Sequence, residues 1–222
     1  MNIFDIIGPV MVGPSSSHTA GAAKIGYVAR KILAEPVAEA EILLFGSFLA
    51  TGKGHGTDRA LVAGLLGMKP DDARIPTSFE CAKEEGLKFT FGEADLADGH
   101  PNSVVLKLTG KSGKKMEVVG ESLGGSVINI ASIDGSPCSF SGDSPTLIVY
   151  NQDAPGVVTK VASMISFENV NIATMRLIRS GRGGQACMVI ECDSEVSQQA
   201  IEVLRHFPGV TAVTYYSTKE AF

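Results

Sequence analysis

TLIVYNQDAPGVVTKVASMI, residues 146–165, carries the pattern that decides the fold of the C-terminal third. Its first five residues form a short apolar run suited to a strand, and Asn151, Gln152, Asp153, Ala154, Pro155 and Gly156 then supply a turn. Pro155 suits the first turn of a helix, where its missing N–H costs little, and Val157, Val158, Val161 and Ile165 follow at roughly helical spacing. Working outward, residues 171–178 alternate as a strand, RSGRGG at 179–184 forms a loop, and QACMVIEC at 185–192 is a second strand. Ser194 is a candidate N-cap for a helix over 196–206, and residues 210–216 give a last strand. The order of elements is βαββαβ.

That order predicts a ferredoxin-like antiparallel sheet with both helices on one face. Many functions share the arrangement, so periodicity reaches no further. In detail, DAPGV at 153–157 and NVNIATM at 169–175 make the segment from Thr146 to about Ser217 resemble the ACT family of amino-acid-sensing regulatory domains. The resemblance implies effector contacts at Asp153, Gly156 and Asn171. It also implies a homodimer paired through this domain, since unpaired edge strands favour such association.

The whole chain has 222 residues, for which two modest domains are a better expectation than one large one. Hydrophobic residues make up 44% and charged residues 19%, with 25 glycines, which fits a folded α+β or mixed α/β protein rather than a disordered one. A net charge of -5 with scattered Lys and Arg argues against nucleic acid as a partner. No apolar run is long enough to span a membrane, and MNIFDIIGPVMVG lacks the basic start of a secretion signal, so a cytoplasmic protein is expected. The four cysteines, Cys81, Cys138, Cys187 and Cys192, form no CxxC pair and read as buried free thiols rather than metal ligands.

GSPCSFSGDSP at 135–145 has the composition of a linker, and it separates expected domains at 1–140 and 146–222. The first of these shows a helical pattern over 20–33, an apolar strand around 40–44 and a short helix over 58–67. Further strands are expected near 87–91, 103–109 and 116–121. Sheet order does not follow from these runs.

Three polar, glycine-flanked loops of this domain hold three of the four histidines. The first, Gly13 to Thr19, contains Ser15, Ser16, Ser17, His18 and Thr19 directly before a helix, whose exposed N–H groups suit a carboxylate or phosphate. A single N-cap at Ser17 or Thr19 is the plainer alternative. The second, Gly52 to Asp58, presents His55 among alternating glycines and lacks the spacing of a P-loop. The third is Gly99, His100, Pro101 and Asn102. Histidines titrate near neutrality, so a group of them suits acid–base work. His206, in RHFPG at the end of the tail's second helix, reads as structural.

Taken together, GPSSSHTAGAAKIG at 13–26, GSFLATGKGHGTDRA at 46–60 and HPNS at 100–103 resemble the β portion of bacterial iron-sulfur L-serine dehydratases. The ACT-like tail matches the two-subunit form of that family. The family's N-terminal fold is similar to the allosteric substrate-binding domain of some phosphoglycerate dehydrogenases. What the resemblance implies is β-elimination of L-serine to pyruvate and ammonia, with a [4Fe-4S] cluster carried by a separate α subunit and no metal on this chain. Within these loops our own assignment makes His55 the first choice of general base and His100 the other catalytic candidate, with Ser15, Ser16, Ser17, His18, Thr19 and Asn102 expected to hold substrate. L-serine becomes the leading ligand of the tail as well. Two other classes stay open: a purely regulatory pair of effector-binding domains, and a zinc hydrolase using the three histidines.

Overall fold

A computed structural model of the chain describes residues 10–219. The architecture is mixed α+β, in two compact units that divide between Gly135 and Ser136. No helix among the described residues is long and apolar enough to cross a membrane.

In the first unit, a π-helical turn, Ser16–Gly21, leads into α1 (Ala22–Leu33). Strand β1 (Val37–Leu44), helix α2 (Gly46–His55) and helix α3 (Thr57–Leu65) follow, then α4 (Ser78–Glu85), β2 (Lys88–Glu93), β3 (Ser103–Gly110), β4 (Lys115–Gly124) and β5 (Val127–Ile133). Strand order is β2-β1-β3-β4-β5; β1 and β2 run parallel and the remaining neighbours antiparallel. In β1, Ala40, Ile42 and Leu44 are buried while Glu39 and Glu41 face solvent, the alternation of a sheet covered on one side.

Helix α1 covers that side and packs on α3. The two helices approach through glycines: a Cβ on Gly64 would lie 2.1 Å from the Ala23 carbonyl oxygen, and one on Gly26 would lie 2.5 Å from that of Leu61. Ile25, Val28 and Ile32 of α1 and Leu61 and Leu65 of α3 are buried, each contributing about 1.5–3 kcal/mol.

The stretch expected to be a glycine loop at 52–58 is instead the end of α2 and the start of α3, joined at Gly56 with φ +71°. Helix α2 forms despite its glycines because Phe48 is fully buried and because the Ser47 N–H donates to the Pro101 carbonyl at 2.6 Å. His55 is therefore a helix-end residue, held by backbone rather than carried on a mobile turn.

The second unit opens with β6 (Ser136–Phe140), inside the stretch read as a linker. Cys138 and Phe140 turn inward there, a period-two pattern too short to stand out among Ser, Gly and Pro. Next come β7 (Thr146–Gln152), α5 (Val157–Phe167), β8 (Ile172–Arg179), β9 (Gln185–Cys192), α6 (Gln198–Arg205) and β10 (Val210–Tyr216). The order β10-β7-β9-β8, antiparallel throughout, is the ferredoxin-like sheet expected from βαββαβ.

Leu147, Val149, Met188 and Ile190 of the central strands form one core with Val161 and Ile165 of α5 and Ile201 and Leu204 of α6. Ser197, not Ser194, caps α6, accepting from the Ala200 N–H at 3.1 Å. Ahead of that cap, the Val196 N–H donates to the Tyr215 hydroxyl at 2.9 Å.

Candidate functional site

The three histidine loops of the first unit are laced together by short polar contacts. Ser15 Oγ accepts from the His18 N–H at 3.0 Å and so caps the π-helical turn, the role the sequence offered to Ser17 or Thr19. Thr19 is buried, and its hydroxyl donates to the His55 carbonyl at 2.9 Å, tying the first loop to the end of α2. Ser122 of β4, also buried, donates from its hydroxyl to the Ser17 carbonyl and from its N–H to the Asn102 carbonyl, both at 2.9 Å. Asn102 Nδ2 donates back to the Ser122 carbonyl at 3.4 Å. Gly46 takes φ +56° where Pro101 crosses, and a Cβ there would meet the Pro101 carbonyl oxygen at 2.6 Å.

These ties bring His18 and His55 side by side, with ring centroids 4.9 Å apart. His18 Nε2 is hydrogen-bonded with Ser47 Oγ at 3.0 Å and with Thr51 Oγ1 at 3.2 Å. Its ring stands edge-on to buried Phe48, with centroids 5.4 Å apart. Burial first, and the neighbouring His55 second, hold the His18 imidazole below its ordinary value, while the contact with Ser47 opposes them. His18 is thus kept neutral near pH 7. Ser47 and Thr51 escaped the sequence reading; their i, i+4 spacing identifies them once 46–55 is read as a helix.

Tautomers separate the other two histidines. His55 Nδ1 lies 3.1 Å from the Thr51 carbonyl oxygen, which can only accept, so Nδ1 carries the hydrogen and the neutral ring's lone pair is on Nε2. His100 is the reverse: its Nδ1 accepts from the Asn102 N–H at 3.2 Å, leaving the hydrogen on Nε2. One ring offers an acceptor and the other a donor. His206 repeats the His55 contact at the end of α6, with Nδ1 2.8 Å from the Glu202 carbonyl, but no second histidine stands beside it among the described residues. Next to His55 lies a cavity of about 350 Å³ whose walls include Thr19, Lys53, Gly56, Arg59 and Pro76.

The family model described as "Serine dehydratase beta chain" matches residues 2–131, the greater part of the chain. This chain belongs to the serine dehydratase beta chain family. An L-serine dehydratase beta chain from Peptoniphilus asaccharolyticus is 41% identical over 96% of both chains. A Bacillus subtilis (strain 168) protein named "Probable L-serine dehydratase, beta chain" is 37% identical over the same share of each. A D-3-phosphoglycerate dehydrogenase of that Bacillus strain is 25% identical over 86% of this chain and 36% of its own length. Residues 147–212 match a second model, described as an AHAS small subunit-like ACT domain.

In this serine dehydratase beta chain the tail residues singled out by sequence hold one another. Asp153 Oδ2 accepts from the Gly183 N–H at 3.0 Å and from Arg179 at 3.2 Å, and the Gly183 contact is the larger cause of its lowered carboxyl pKa. Asn171 Nδ2 donates to Asp193 at 2.6 Å, and Gly156 has φ +86° at the start of α5.

The three buried cysteines are poorly suited to the iron-sulfur cluster that the family resemblance implies. Burial pushes the thiols of Cys138 to about 12 and of Cys187 and Cys192 to about 11, which disfavours the thiolate form that cluster ligation requires. No group of three or more His, Cys, Asp or Glu side chains among the described residues is placed to hold a metal ion.

Proposed function

We propose that this chain is the β subunit of an L-serine dehydratase, supplying proton-transfer and substrate-holding groups to a site completed by a cluster-bearing α subunit. The observation that carries the reading is His55, with its acceptor nitrogen at Nε2, set beside a neutral His18, together with a His100 of the opposite tautomer on a loop tied to that of His18 through Ser122. His55 Nε2 removes the α-proton of L-serine, and the electron pair released forms the Cα–Cβ double bond as the Cβ–O bond breaks. His100 Nε2–H protonates the departing oxygen, which leaves as water. The remaining 2-aminoacrylate tautomerises to an imine, and water hydrolyses it to pyruvate and ammonia. The cluster, carried by the α subunit in this reading, would supply Lewis-acid chemistry toward the substrate hydroxyl.

Within that reading, Ser16, Ser17 and His18 contact the substrate, Ser15 and Thr19 hold the first loop in shape, and Asn102 orients His100. The tail pairs two copies of the chain, and L-serine binds at the Gly156 turn with Asn171 turning its amide oxygen to the ligand. The protein works in the cytoplasm.

The similarity of a phosphoglycerate dehydrogenase across both units favours a second reading, a purely regulatory effector-binding module. An effector site needs hydrogen bonds but not a donor and an acceptor histidine set in opposite tautomers. Pyruvate formation from L-serine by this chain, by the α subunit and by both together decides between the two. The β-subunit reading expects pyruvate only from the pair; an α subunit equally active without this chain leaves the regulatory module.

A further inference from the structure

We propose that the cavity beside His55 is the subsite for the substrate's α-carboxylate, and that Lys53 and Arg59 are the groups that bind it. The inference deepens the L-serine dehydratase reading and rests on it.

An amino acid enters as a zwitterion, and its carboxylate needs a full positive charge or several aimed donors once it leaves water. The histidine cluster supplies hydroxyl and N–H donors at Ser16 and Ser17 but no full positive charge. His18 is held neutral, the hydroxyls of Ser47 and Thr51 are engaged with His18 and each other, and that of Thr19 is spent on the His55 carbonyl. Proton abstraction by His55 also requires its ring to be uncharged.

The missing charge lies on the other side of His55. The cavity of about 350 Å³ has room for a three-carbon amino acid, and its walls carry Lys53 and Arg59 with no acidic side chain. Asp58, between them in sequence, is not in the walls, and its Oδ1 accepts from the Arg59 N–H at 2.8 Å.

Arg59 is set in place before any ligand arrives. Its guanidinium lies 5.3 Å from the Phe79 ring centroid and donates through one NH1 hydrogen to the Pro76 carbonyl, while its own carbonyl accepts from Ser78 Oγ at 2.8 Å. A planar fork held by stacking and one hydrogen bond keeps its other donors for a carboxylate. The N-terminal pole of α3 begins at Gly56 in the same wall and adds partial positive charge. Lys53, His55 and Arg59 all line the one cavity, so a carboxylate bound by Lys53 and Arg59 is held in the same space that His55 borders.

The test uses the assembled α–β enzyme with Lys53→Met and Arg59→Lys. Lys53 is exposed, so that variant keeps its fold, which an unchanged melting temperature checks. The KM for L-serine is expected to rise about 10- to 100-fold in each, the scale of a lost charge-assisted contact, with kcat within about threefold. L-serinamide, which lacks the carboxylate, reads the subsite independently: its inhibition constant should not move in Lys53→Met. An unchanged KM for L-serine in both variants overturns the proposal, as does a rise matched by an equal rise for L-serinamide. Wild-type enzyme that makes no pyruvate from L-serine overturns the dehydratase reading itself, an outcome distinct from an active wild type beside variants of unchanged KM.

Discussion

His55 Nδ1 sits 3.1 Å from the carbonyl oxygen of Thr51, one turn earlier in α2. The contact orients the ring and leaves the lone pair of the neutral ring on Nε2. Thr51 also holds His18, through its hydroxyl, so a single turn of helix sets both imidazoles.

Removing the hydroxyls that hold His18 should therefore slow the enzyme without unfolding it. Ser47→Ala and Thr51→Val each forfeit one neutral hydrogen bond to His18, worth about 0.5–1.5 kcal/mol, or about 2- to 10-fold in kcat/KM for L-serine, along with the contact between the two hydroxyls and, for Thr51, its bond to the Ser47 carbonyl. The double variant should fall short of the product of the two, because both hydroxyls act on the same nitrogen. Steady-state pyruvate formation by the reconstituted enzyme measures all three.

The lowered pKa of His18 ties stability to pH with a definite sign. Unfolded, the ring titrates near 6.5; folded, it binds its proton only at lower pH, so the unfolded chain holds more protons between the two values. Stability from this group is complete above about pH 6.5 and is lost as pH falls toward the folded value. Melting temperature measured from pH 7.5 down to 5 should decline less steeply in His18→Gln than in the wild type.

The tail was legible in the sequence because its central strands are short apolar runs set off by turns rich in Gly, Pro, Asn and Asp. The edges of β9 and β10 coincide with the runs at 185–192 and 210–216. Helix α2 was not, since Gly52 and Gly54 weaken any helical pattern and the burial of Phe48 that outweighs them is a tertiary effect. Misreading that helix hid Ser47 and Thr51. Strand β5 was passed over beside Gly124 and Gly125, although Ile128 and Ile130 alternate inward. Residue types marked the three histidine segments, but the tie between the first and the third runs through Ser122, a serine of β4 with no signal of its own.

Glycines in helices should respond oppositely according to their surroundings. Gly64→Ala drives a methyl group to 2.1 Å from the Ala23 carbonyl and forces α1 and α3 apart, costing about 1–3 kcal/mol. Gly54→Ala meets nothing within 4 Å in α2 and should stabilise by about 0.5–1 kcal/mol through helix propensity. Urea unfolding of the two variants provides the comparison.

Thiol reactivity should sort the cysteines by burial. Cys81 is partly exposed, whereas Cys138, Cys187 and Cys192 are buried with thiols raised to about 12, 11 and 11. An aromatic disulfide reagent at pH 8 should titrate one thiol quickly in the native chain and all four in denaturant. A second fast thiol in the native chain would contradict the burial of the other three.

The most direct test of the central claim is the turnover of L-serine by His55→Ala in complex with the α subunit, with and without added imidazole. Loss of the general base should lower kcat by about 100-fold or more, and imidazole should restore part of it. Turnover within a few-fold of the wild type, indifferent to imidazole, would contradict the assignment of His55 as the base.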